Sequence, residues 1–165
     1  MLIAHVSDLH IGGSEDSVER AMRVREYLNG LPGPVDAVMV TGDIADHGLA
    51  DEYTIAREVM RYDAPTIVCP GNHDSRTAFR TVLLGQSGHG PINQVLRLEG
   101  LTIALCDSSI PGRVHADEHG WLESELDRAE GPMLQDLLQP VGVGQPYGVD
   151  RGQAEAYGRV GSSPP

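Results

Sequence analysis

Three short stretches each place carboxylate, imidazole or amide side chains just past an apolar run. Asp8 and His10 follow residues 2–6, Asp43 and Asp46 follow residues 37–40, and Asn72, His73 and Asp74 follow residues 66–68. In an extended chain residues i and i+2 share a side, so Asp8 and His10 can chelate one ion together. Carboxylate, imidazole and amide oxygen donors in this mixture suit Mn, Fe, Zn or Co better than a thiolate site or a calcium cage would. Asp43, in the middle unit, has the position to bridge two such ions. Two cations about 3.5 to 4 Å apart that share a carboxylate are a recurrent device for in-line attack on phosphorus, activating water and neutralising the phosphoryl oxygens. Taken alone, Val68-Cys69-Pro70-Gly71-Asn72-His73-Asp74 also reads as an ordinary strand-to-helix turn, because Asn and Asp favour turns and helix caps. Repetition of the arrangement on two upstream units favours a site.

The elements that must hold these residues alternate. A strand at residues 2–6 runs into the Gly12-Gly13 turn. Ser14, with Glu15 and Asp16, then opens a helix whose stripe is Val18, Ala21, Met22, Val24 and Leu28, ending at Asn29-Gly30. Past the Leu31-Pro32-Gly33-Pro34 breaker come a strand at 37–40, a helix over 50–62 spaced by Tyr53, Ala56, Arg57 and Met60, and a strand at 66–68. A third helix is expected over 75–84, capped by Asp74 or Ser75. Residues 95–98 and 101–105, joined by Glu99-Gly100, predict an antiparallel hairpin. Trp121, Leu122, Leu126 and Ala129 outline a helix from about His119.

This order predicts an α/β fold: a mainly parallel sheet with flanking helices and the hairpin as an antiparallel extension. Ligands of such sheets sit outside the carboxyl ends of the strands, so Asp8, His10, Asp43, Asp46, Asn72, His73 and Asp74 should converge on one rim. At Gly131 the character changes. The last 35 residues hold seven Gly and five Pro, which predicts a domain over residues 1–130 and an irregular tail over 131–165. Gly142-x-Gly144 is weak evidence for a phosphate loop there, with no strand before it.

The formal charge is −12, and all twelve basic residues are Arg. That balance argues against a nucleic-acid partner, which needs a basic face; carboxylates gathered round a cation would account for part of it. No apolar run approaches the roughly 18 residues of a membrane span, and Met1 opens no secretory signal pattern, so a soluble, cytoplasmic protein is expected. Cys69 and Cys106 each end a predicted strand and suit buried thiols better than a disulfide framework. His5, at opposite parity to Asp8, is expected to pack within its strand; His47 lies on the rim beside Asp46. His89, His115 and His119 fall on loops, where a lone His is usually solvated. Arg76 and Arg113 are candidate phosphate contacts, although a lone Arg is more often a surface residue.

Asp8-Leu9-His10, Gly42-Asp43-Ile44-Ala45-Asp46 and Gly71-Asn72-His73-Asp74 resemble, in order and spacing, the D-x-H, G-D-x-x-D and G-N-H-D motifs of the calcineurin-like metallophosphoesterases. Leu105-Cys106-Asp107-Ser108-Ser109-Ile110-Pro111-Gly112, with Gly120-Trp121-Leu122 after it, looks like the class III cyclic-nucleotide phosphodiesterase and glycerophosphodiesterase branch. The resemblance implies an N-terminal portion of the family's α/β/β/α sandwich. It implies two divalent or trivalent metal ions (Mn, Fe, Zn or Co), with Asp8 and His10 on the first, Asp43 bridging, and Asn72 on the second while touching the phosphate. His73 would contact the phosphate, stabilise the transition state or protonate the leaving oxygen, with Asp46 orienting it. The substrate implied is a small phosphodiester, a cyclic nucleotide or a glycerophosphodiester, hydrolysed by attack of metal-activated hydroxide. Protein phosphatases of the superfamily read G-D-x-x-D-R-G and G-N-H-E, whereas Asp46 is followed here by His47-Gly48 and His73 by Asp74.

The family's C-terminal metal-binding His and G-H-x-H motif have no counterpart in the sequence, so a shortened chain with an incomplete second sheet is expected. The first metal then keeps three protein ligands and the second keeps Asp43 and Asn72, leaving two, one or no ions bound. The alternative function is a catalytically weak or inactive metal-binding or interaction module. Its uncovered sheet edge or apolar face would favour a homodimer.

Overall fold

One strand, β2 (Ala37–Thr41), is buried along its whole length, and the fold follows from covering both of its faces. The computed structural model describes residues 1–107, 121, 124–125, 127–129 and, by its backbone, 133–137. Strand β1 (Ile3–Ser7) pairs parallel with one side of β2, Ile3 opposite Ala37. Strand β3 (Thr66–Cys69) pairs parallel with the other, Thr66 opposite Val38. A strand covered on both faces reads as a continuous apolar run, which Ala-Val-Met-Val is.

Val38, Val40 and Val68 face the helices. They share a core with Ala21 of α1 (Ser17–Asn29), with Tyr53, Ala56 and Val59 of α2 (Ala50–Val59), and with Phe79. Ala37, Met39, Ile67 and Cys69 face the other way and join Ile103 and Leu105 in a second cluster. Those last two belong to a second sheet. Strands β4 (Gln94–Leu98) and β5 (Leu101–Cys106) form the expected antiparallel hairpin, Gln94 opposite Leu105. Gly100 turns it at φ 78°, a conformation that suits glycine. Strand β6 (Met133–Leu137) runs parallel to β5, Thr102 opposite Met133.

The α/β class holds, but the hairpin is not an extension of the parallel sheet; it begins a sheet stacked on it. Added edge-on, it would leave Met39, Ile67 and Cys69 in water, and a two-faced apolar sheet needs a layer on each side. A strand also lies where the irregular tail was expected to begin. Met-Leu-Gln-Asp-Leu has little β-propensity of its own, and pairing with β5 supplies what composition does not.

Helix starts and stops differ from the sequence reading by a few residues. Helix α1 begins at Ser17 rather than Ser14, whose hydroxyl donates to Asp16 at 2.7 Å. Met22 and Val24 are exposed, so its apolar stripe is narrower than expected. The third helix, α3 (Arg76–Ala78), is capped by Ser75, whose hydroxyl accepts the Ala78 amide. It widens over Phe79–Leu83 into a π turn, the Leu84 amide reaching the Phe79 carbonyl at 3.2 Å. His5 is exposed rather than packed, its Nε2 2.6 Å from Thr41 Oγ1; β1 lies at the sheet edge. Both cysteines are buried thiols.

Trp121, Ser124, Glu125 and Asp127 are helical, within the span where a fourth helix is predicted. The rest of that span, the loop over 108–112, Arg113, His115, His119 and residues 138–165 with Gly142 and Gly144 lie outside the described residues. Among the described residues, no helix is long and apolar enough to cross a membrane.

Candidate metal centre

Pairing between β1, β2 and β3 continues past the strands into the loops that carry the chemistry. The His10 amide donates to the Asp43 carbonyl at 2.9 Å, Ile11 to Ile44 at 3.0 Å, Asp46 to Ile11 at 3.0 Å and Gly42 to Cys69 at 3.0 Å. Leu9, Ile11, Ile44 and Ala45 are buried, whereas Asp8 is exposed and His10 half-buried. Each fully buried isoleucine contributes about 1.5–3 kcal/mol to anchoring these loops.

Among the described residues, Asp8, His10 and Asp43 are the non-glycine residues with positive φ, at 56°, 45° and 43°. Side chains seldom adopt this region, and each instance costs of order 1–3 kcal/mol. The strain falls on three residues that also form a candidate cation-binding group. Gly71 brings the β3 loop against them: a Cβ there would stand 2.3 Å from both the amide nitrogen and Oδ1 of Asp43. No other residue type fits that approach.

His10 Nδ1 lies 2.8 Å from Asp46 Oδ1. A carboxylate only accepts, so Nδ1 carries a proton, and in the neutral ring Nε2 then presents a lone pair. That nitrogen faces Asp43 Oδ2 at 3.7 Å and Asp8 Oδ1 at 4.0 Å. An unprotonated imidazole nitrogen and two carboxylates aimed at one point fit a cation, with the Asp46 carboxylate in the supporting position that fixes a ligand histidine's tautomer. A second candidate grouping joins His10, Asp46 and His73.

His73 donates its amide to Asp43 Oδ1 at 2.9 Å, and its ring crosses the His10 ring edge-on with centroids 4.8 Å apart. Its Nδ1 is 2.8 Å from the Asp46 carbonyl oxygen, while the Asp46 carboxylate is 3.9 Å away. The main chain of Asp46 therefore orients His73, and its side chain serves His10. Asn72 is exposed beside His73 on the same loop.

Asp74 departs from the expected rim. Its carboxylate turns inward and accepts from the amides of Ile44 (3.1 Å), Ala45 (3.0 Å) and Gly71 (2.8 Å) and from the Tyr53 hydroxyl (2.9 Å). It clamps the β2 and β3 loops together. Arg76 likewise does not project as a phosphate contact: Nη2 donates to Asp107 Oδ1 at 2.8 Å, and Nε lies 2.8 Å from Oδ2. Asp107, fully buried, also takes the Ile92 amide at 2.8 Å. An Arg so paired ties α3 to the end of β5.

Sequence reasoning missed Glu52. It is buried on α2, and Oε2 accepts the amides of His47 (3.1 Å) and Leu49 (2.9 Å) while Oε1 lies 2.8 Å from His47 Nδ1. A Glu at the third position of a helix that reaches back to the cap amide is half of a capping box. With Leu49 where Ser or Thr belongs, that signal is faint in the sequence.

The Glu52 carboxylate, then Asp46, hold the His47 imidazole above its ordinary value of 6.5. The Asp46 carbonyl, with the carboxylates of Asp43 and Asp46, does the same for His73. Burial pushes the Asp74 carboxyl up, against the opposing pull of the Ala45, Gly71 and Ile44 amides, and it pushes the Tyr53 hydroxyl up as well. For Glu52 burial acts upward, but the Leu49 amide and His47 outweigh it and leave the carboxyl low.

A histidine whose folded pKa is raised lends stability in full below its unfolded value and loses it as pH rises through the folded value. The metal-free protein is therefore expected to lose thermal stability as pH rises above about 6.5, the ordinary value for both rings. Melting curves in a chelator from pH 5.5 to 8.5 measure this, and a His47→Gln/His73→Gln double variant should flatten the slope.

Residues 1–147 match the calcineurin-like phosphoesterase family. The chain is 35% identical over 140 residues to a probable cyclic nucleotide phosphodiesterase of Rhodococcus erythropolis, covering 75% of this chain and 46% of the relative. It is 32% identical over 142 residues to a cAMP/cGMP dual specificity phosphodiesterase of Mycobacterium tuberculosis, covering 76% and 45%. To a glycerophosphodiester phosphodiesterase of Enterobacter lignolyticus it is 33% identical over 148 residues, covering 78% and 52%. The chain thus spans about half the length of the curated relatives it matches.

Proposed function

This chain belongs to the calcineurin-like phosphoesterase family, and from that premise we propose that it is a metal-dependent phosphodiesterase acting on a small phosphodiester. A cyclic nucleotide or a glycerophosphodiester is the substrate class, by analogy with what its relatives are named for. The observation that carries the reading is the meeting of three strand-end loops, which aims His10 Nε2 at the carboxylates of Asp8 and Asp43.

Asp8, His10 and Asp43 would hold one cation, and Asp43 with Asn72 would contribute to a second. When bound, such ions lower the pKa of water and neutralise phosphoryl oxygens. The remaining work falls to the chain. Hydrolysis replaces one ester P–O bond with a P–O bond from water, and the departing alkoxide needs a proton. With Nδ1 tied to the Asp46 carbonyl, His73 has Nε2 left to deliver that proton or to meet a phosphoryl oxygen. Asn72, beside it, would position the phosphate through its amide.

The test is hydrolysis of bis(p-nitrophenyl) phosphate by metal-free protein titrated with Mn, with bound Mn counted alongside. Activity should rise with Mn occupancy, and an Asn72→Ala variant should lose at least about 10- to 100-fold, the scale set by loss of an outer-shell partner. Folded protein that stays inactive at saturating Mn would overturn the reading. The alternative, a metal-binding module without turnover, rests on the second cation having only Asp43 and Asn72 from the proposed set; one Mn bound with no hydrolysis would favour it.

A further inference from the structure

The loop ends hold one arrangement that the reaction above does not use. Glu52 fixes His47, and His47 Nε2 lies 3.4 Å from Asp46 Oδ2, the oxygen that His10 does not engage. The file runs Glu52, His47, Asp46, His10, and ends at the nitrogen that faces Asp8 and Asp43.

We infer that His47, oriented by Glu52, is a positioning residue for the metal centre: it holds the Asp46 carboxylate in the rotamer that keeps the proton of His10 on Nδ1. This rests on the proposed cation site and deepens it. Asp46 is a short side chain on a loop, and one hydrogen bond at 2.8 Å leaves its second oxygen able to swing. His47 Nε2 stands 3.4 Å from that second oxygen and narrows its swing, by close approach rather than by a hydrogen bond, and a ligand histidine depends on its supporting carboxylate for orientation and basicity. His47 is itself exposed at its ring, 58% by side chain, so packing does not place it. Glu52 does, at a side chain only 9% exposed whose other oxygen takes two backbone amides.

The glycine pair beneath the file points the same way. A Cβ at Gly12 would stand 2.2 Å from Glu52 Oε1, and one at Gly13 would stand 2.7 Å from Asp46 Oδ1. Both carboxylates therefore sit directly against the loop that carries His10. The turn after Asp8-Leu9-His10 is shaped to admit them, not merely to reverse the chain.

Imidazole-detected nitrogen–proton NMR on metal-free protein reads the tautomer of His10, and calorimetric titration with Mn reads affinity. In His47→Ala, the Nδ1 proton of His10 should lose its protection and Mn affinity should fall about 10- to 100-fold. His47→Gln, which puts a polar side chain of similar reach back against Asp46, should recover most of both. Since His47 is largely exposed, circular dichroism of His47→Ala at the titration temperature is expected to match the wild type, which excludes unfolding as the cause. Wild-type tautomer and affinity in His47→Ala would overturn the inference, and so would a wild-type His10 protonated on Nε2. Absence of hydrolysis by the wild type would sink the phosphodiesterase reading alone, because the metal-free tautomer still decides the role of His47.

Discussion

Replacing Asp74 by alanine is expected to remove about 3–5 kcal/mol of stability, from the loss of one acceptor group shared by four donors. Both carboxylate oxygens are committed. Oδ1 takes the Ala45 amide and the Tyr53 hydroxyl, and Oδ2 takes the amides of Ile44 and Gly71. Alanine leaves four donors facing a hole, and each buried donor left unsatisfied costs about 1–3 kcal/mol. Relaxation of the loops and entry of water keep the total below the sum.

Asparagine should rescue little. Either orientation of its amide turns an NH2 group toward at least one backbone N–H, replacing attraction by repulsion. Urea denaturation of the metal-free wild type, Asp74→Ala and Asp74→Asn measures this, and a loss under 1 kcal/mol in the alanine variant would show that the clamp matters little. The β2 and β3 loops should also separate, so Asp74→Ala should lose Mn affinity although its side chain points away from the rim.

How far the site was legible follows from which physics each residue obeys. Asp8, His10, Asp43, Asn72 and His73 could be placed on neighbouring loops because apolar runs of strand length end just before them, and parallel strands deliver their carboxyl ends to one side. Asp74 shares that position in sequence but turns inward. Whether a carboxylate at a strand end faces a rim or gathers amides depends on the path of the neighbouring loop, and no local pattern encodes that path.

Tyr53 was legible as a core residue by its helical spacing, but its hydroxyl, which donates to Asp74 and accepts the Ser75 amide at 2.8 Å, was not. The role of Asp46 was half legible. Its nearness to a histidine could be expected, yet its carboxylate serves His10 and its carbonyl serves His73. A carbonyl is common to every residue type and leaves no trace in composition. In the fold, the apolar character of β2 and β3 on both faces signals cover on both sides; Met39, Ile67 and Cys69 carry that signal, and the stacked hairpin answers it.

Asp8→Gly separates what the site needs from what the fold needs. Asp8 sits at φ 56° with a side chain 64% exposed. Its contact toward His10 is a 4.0 Å approach rather than a hydrogen bond. Glycine relieves a left-handed conformation worth about 1–2 kcal/mol against an entropic cost of about 0.5–1 kcal/mol. It also removes a negative charge from beside Asp43. The metal-free variant should therefore be as stable as the wild type or more stable, by up to about 1.5 kcal/mol on that difference.

Its effect on function should be the opposite. One of three groups aimed at the proposed cation is gone, and Mn affinity and diester hydrolysis should fall by more than the roughly 100-fold that loss of an outer-shell partner can cost. Thermal melting in chelator, paired with Mn titration, reads both halves. A variant that is less stable and still binds Mn as the wild type does would mean that the strain at Asp8 serves the turn. One that is no less stable and has lost its metal would mean that the backbone is held in a costly conformation for the sake of the ligand. That second result is the pattern expected where strain is retained at a functional site because the surrounding ladder over-determines it.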